Sequence, residues 1–79
     1  MTDVNETRAL KASFRGALDT GRSLAEIQAR VDALDDHADV DDGLLDDLAR
    51  LTSAHAVASA ALRGLVDTMR TRRAAGASA

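Results

Sequence analysis

Cysteine, proline, tryptophan and tyrosine are all missing from this 79-residue sequence, and phenylalanine occurs once. Without cysteine there is no disulfide and no thiolate zinc site to brace a small fold. Without proline, nothing in the covalent chain forbids a helix interior. The shortage of aromatics removes the largest core-filling side chains, together with the stacking platforms used to hold single-stranded nucleic acid. Of the apolar residues that remain, 17 are alanine. A chain of this length forms one small domain, and one with so few large apolar groups needs a partner to bury enough surface. With disulfides excluded, homo-oligomerisation, most simply a dimer, is the expectation.

No run of apolar residues is long and clean enough to span a bilayer: residues 44–69 are interrupted by Asp46, Asp47, Arg50, His55, Arg63 and Asp67. The first ten residues carry acids where a secretory signal would be basic and then apolar. The expectation is a cytoplasmic protein with no membrane partner.

The net charge of −3 conceals a segregation along the chain. Residues 1–22 hold four basic and three acidic groups, residues 23–49 one and nine, and residues 50–79 five and one, so the segments carry +1, −8 and +4. Asp35, Asp36, Asp39, Asp41 and Asp42 concentrate the acidic charge into a tip. Such a tip caps and solvates a turn, and could also be steered onto a basic surface of another protein.

What is present favours helix, since alanine, leucine and arginine are strong helix formers. A first helix is expected over residues 4–19, opened by Asp3 and Glu6 in capping-box spacing, with Leu10, Phe14, Ala17 and Leu18 on one face and Gly21 as its terminator. Ser23 and Glu26 form a second capping box ahead of Leu24, Ile27, Val31 and Leu34. A connection near residues 37–41 follows. The third segment, residues 41–72, has the strongest pattern: Leu44, Leu48, Leu51, His55, Ala58, Leu62, Leu65 and Met69 alternate spacings of four and three, and Leu45 and Val66 widen the stripe on one side. These eight residues are the expected interface. The fold class is all-α, either a three-helix bundle or a kinked helical hairpin with a long C-terminal helix, dimerising into a larger bundle. Residues 1–73 form the domain and residues 74–79 a flexible tail. Ala56, Ala60 and Gly64, spaced by four, make a ridge of small residues that would admit another helix at close range.

Chemical signatures fail one by one. His55 and Ser59 lie one turn apart, but no acid sits at positions 51, 52, 58 or 62 to orient the imidazole. His37 lies among aspartates, yet an EF-hand frame begun at Asp39 puts Gly43 one place early and Arg50 where a bidentate glutamate belongs. The only glutamates, Glu6 and Glu26, lack the Glu-x-x-His partners of a di-metal bundle. The acyl-carrier Asp-Ser-Leu site and any glycine-rich phosphate loop are absent. The segment TGRSLAEIQARV has the look of a first helix of a helix-turn-helix, but the acidic stretch after it would be repelled by phosphates, which argues against direct nucleic-acid binding.

These readings converge on a non-enzymatic helical protein–protein interaction module, with no catalytic, cofactor or metal residues, that self-associates through its C-terminal helix. The alternatives are an acidic adaptor or inhibitor docking on a basic surface of a nucleic-acid-handling protein, or a small virion or phage structural subunit.

Overall fold

The computed structural model describes residues 4–78, and side chains over residues 4–76. Asp3 of the first expected capping box therefore lies outside the described residues. The chain is all-helical: α1 spans Val4–Asp32 and α2 spans Asp42–Ser78, joined by residues 33–41 and packed antiparallel along their length.

The expected break at Gly21 does not occur, and two helices stand where three segments were read. Gly21 keeps ordinary helical geometry with no positive φ. Ser23 turns its hydroxyl back onto the Asp19 carbonyl oxygen at 3.2 Å, where a cap would have reached forward to an exposed N–H. The physical reason is phase. Positions 10, 13, 17, 20, 24, 27, 31 and 34 alternate spacings of three and four without a slip across Gly21, and all but Val31 are buried or half-buried. A glycine in mid-helix costs about 1 kcal/mol, less than the packing lost by breaking a stripe that is in register on both sides.

The stripe differs from the expected one in membership. Leu10 and Ala17 face α2, whereas Phe14 and Leu18 are 57% and 42% exposed on the outer side of α1. Ser13 and Thr20 take the seam positions in their place, half-buried.

α2 begins with a well-formed cap. The Asp41 carboxylate accepts from the Leu44 N–H at 2.9 Å, and the Asp41 carbonyl accepts from the Leu45 N–H at 3.2 Å. Gly43 leaves room for that carboxylate, since a Cβ there would sit 2.9 Å from Asp41 Oδ1. At its other end α2 continues through Ser78, past residue 73 where the tail was expected to start. The alanines at positions 74, 75 and 77 favour this continuation through their helix propensity.

The molecule is long and thin, 61 × 21 × 16 Å, with a radius of gyration of 18.1 Å. A compact globule of this length would have roughly 12 Å. Among the described residues only Ile27 and Leu44, both near the loop end, are buried apolar groups. Polar ties hold the helices at three levels: Arg30 to Asp47 at 3.1 Å near the loop, Thr20 to His55 at 2.8 Å in the middle, and Arg72 to Glu6 at the open end.

Two substitutions test this description by urea unfolding at fixed protein concentration. Asp41→Ala, which removes the α2 cap, should lower stability by about 1 kcal/mol. Gly16→Ala, where an added methyl meets nothing within 4 Å, should raise it by about 1 kcal/mol.

Candidate interaction surfaces

The eight seam residues of α2 all turn toward α1. Leu44 is buried, and Leu48, Leu51, His55, Ala58, Leu62, Leu65 and Met69 are half-buried within the single chain. Half-burial is the usual outcome in a two-helix layer, because each seam is flanked by two open margins, and only Leu44 among these eight escapes it.

His55 is the most polar member of this line. Its Nδ1 lies 2.8 Å from Thr20 Oγ1, which also reaches the carbonyl oxygens of Gly16 and Ala17 at 2.9 and 3.1 Å. With the Thr20 hydroxyl donating to the Gly16 carbonyl, His55 Nδ1–H donates to Thr20 Oγ1. Gly21 provides the space beside the ring, its ideal Cβ position being 3.5 Å from His55 Cε1. Ser59 Oγ is 3.5 Å from Nε2, at the outer limit of a hydrogen bond. Sequence reading sought an acid as the orienting partner on α2 and missed Thr20, whose place opposite His55 depends on how α1 is registered. The backbone N–H groups around Ser59 lie inside α2 and are engaged by the helix, so they cannot converge as an oxyanion site.

Asp47 forms the second cluster. It accepts from Arg30 across the helices at 3.1 Å and from Arg50 one turn along α2 at 3.0 Å. The Arg30 hydrogen bond, then that of Arg50, hold the Asp47 carboxyl below its ordinary value of 3.8. Ser23, Glu26, Ile27 and Leu51 complete the groove around this network, giving one face of the hairpin a polar lining.

The opposite face has a different character. Leu10 of α1 and Val66 and Met69 of α2 line an apolar groove bordered by Arg70 and Arg73. Along the outer edge of α1, Lys11, Arg15, Asp19 and Arg22 surround the exposed Phe14 and Leu18. Leu45 is 50% exposed and Val57 71%. Ala56, Ala60 and Gly64, the ridge of small residues, point away from α1, and nothing lies within 4 Å of a Cβ placed on Gly64.

Asp35, Asp36, Asp39, Asp41 and Asp42 are all exposed around the loop. Asp35 folds its carboxylate over the His37 N–H at 2.8 Å, and Asp41 caps α2, so both have local structural work. Among the described residues, no group of three or more His, Asp or Glu side chains converges to hold a metal ion. No described helix is long and apolar enough to cross a membrane.

No protein-family model, curated protein or solved structure matches this chain.

The polar ties make two checkable predictions. Thr20→Val, which keeps the shape and removes the hydroxyl beside His55, should cost about 1 kcal/mol, whereas Ser59→Ala should be neutral or stabilising by a few tenths. A carboxyl depressed by folding stabilises the fold above its unfolded pKa and loses that contribution as pH falls through the folded one. Asp47→Asn should therefore melt slightly lower than the native chain at neutral pH. The difference should vanish in acid as the pH drops below 3.8 and through the depressed folded value.

Proposed function

We propose that this chain is a non-enzymatic protein–protein interaction module whose hairpin self-associates into a larger helical bundle. The observation that carries the reading is the thinness of the fold. Two helices that, among the described residues, bury only Ile27 and Leu44 outright leave a half-exposed seam and exposed Phe14, Leu18, Leu45 and Val57 facing water. A second hairpin laid against one face would convert the margins of that seam into core, as in a four-helix bundle. Leu44 is already buried in the single chain, so the seven half-buried seam residues from Leu48 to Met69 then contribute to the interface through their outer edges, their inner sides being occupied by α1.

A second reading has its own observation. The loop end exposes a concentrated negative charge, which suits an adaptor docking on a basic protein surface. Changing Asp39, Asp41 and Asp42 together to Asn would test it, because Asn preserves the cap at position 41 while removing charge. Salt-sensitive capture by a basic partner that disappears in this variant supports the adaptor reading.

Self-association predicts a particle of twice the chain mass by light scattering, and a melting temperature that rises with protein concentration. A monomer whose melting temperature is independent of concentration overturns it.

A further inference from the structure

The hairpin turns the order of charges along the chain into a molecule with two differently charged ends. Residues 23–49, carrying −8, form the loop end, while residues 4–22 and 50–78, carrying +2 and +4 and together +6, fold back to form the other. The long axis measures 61 Å, several screening lengths at physiological salt, so each end presents its own sign to an approaching surface.

The two broad faces also differ. One bears the Arg30–Asp47–Arg50 network with Ser23 and Glu26, and the other bears the groove of Leu10, Val66 and Met69. Phe14 lies one turn from Leu10 on α1, and Leu45 lies three heptads from Val66 on α2, so both fall on the apolar side. The heptad positions between Leu45 and Val66 are Thr52 and Ser59, which are small enough for close approach.

We propose that a second copy of this chain packs antiparallel on this apolar face, about a two-fold axis passing near Ala56. This deepens the self-association reading and rests on it. Antiparallel packing sets Leu45 of each copy against Val66 of the other and lays each acidic loop end beside the other's basic open end. Parallel packing would place −8 against −8, at an electrostatic cost that the apolar contact would have to overcome. A face of 61 by 21 Å is large enough for the roughly 800 Å² per partner that a stable interface buries. An anionic lipid surface would suit Lys11, Phe14, Arg15, Leu18 and Arg22, but the loop end of the same molecule would be repelled by it. A second copy satisfies both ends at once.

The absence of cysteine makes disulfide trapping clean. Leu45→Cys and Val66→Cys are made singly, each checked by circular dichroism for retained helix, and oxidised alone and as an equal mixture, with light scattering on the native chain at about 0.05 and about 0.5 M salt. Antiparallel packing predicts a native dimer whose dissociation constant rises several-fold at the higher salt, and a covalent dimer in the mixture but in neither single variant. A native dimer with covalent dimers in either single variant overturns the antiparallel arrangement and leaves self-association standing. A native monomer at both salt concentrations overturns both, and one that binds phosphatidylserine vesicles reassigns the apolar face to lipid.

Discussion

The structure depends on two apolar lines kept in heptad phase and run against each other. Most of the stability of α1 and α2 comes from packing one face of each against the other, because helix propensity by itself contributes little. What holds them is the shared seam from Leu10 and Met69 at one end to Ile27 and Leu44 at the other. A phase shift at Gly21 would have turned Leu24 and Ile27 away from α2. Preservation of phase explains why one long helix stands where capping signals suggested two.

Leucine-rich lines can slide past each other by a heptad at little apolar cost, so the polar ties take on the task of specifying register. Thr20 meets His55 at mid-length, and Arg30 meets Asp47 one level nearer the loop. Sliding by one heptad would separate both pairs. The ion pair is half-exposed and contributes little to stability, but its selectivity among registers does not require a large energy, only one larger than thermal energy. The Thr20–His55 contact lies deeper and weighs more in that choice.

A two-helix layer has no inside in the ordinary sense, and this governs the functional reading. Apart from the buried Ile27 and Leu44, the apolar seam residues remain partly open to solvent, and the apolar residues that α1 could not place in the seam emerge on its outer side as Phe14 and Leu18. The charges are as unevenly distributed as the apolar groups, with the loop end acidic and the open end basic. In the arrangement proposed above, a second copy would offer both a matching apolar face and the opposite charge.

The sequence by itself determined that the chain is helical, where α2 begins and which line of α2 is apolar, because these follow from local propensity, from Asp41 as a cap and from a pattern of large residues without interruption. The α1 seam was only half legible. Leu10 and Ala17 take their expected places, but Ser13 and Thr20 fill the positions beside them while the conspicuous Phe14 and Leu18 lie elsewhere, so reading by residue size picked two wrong members. Only the tertiary structure decided that Ser23 would forgo its cap, that Thr20 would be the partner of His55, and that Arg30 would reach Asp47. Those choices belong to the pairing of residues far apart in the chain. Their physical reason is the register of one long helix on another, which no local pattern encodes.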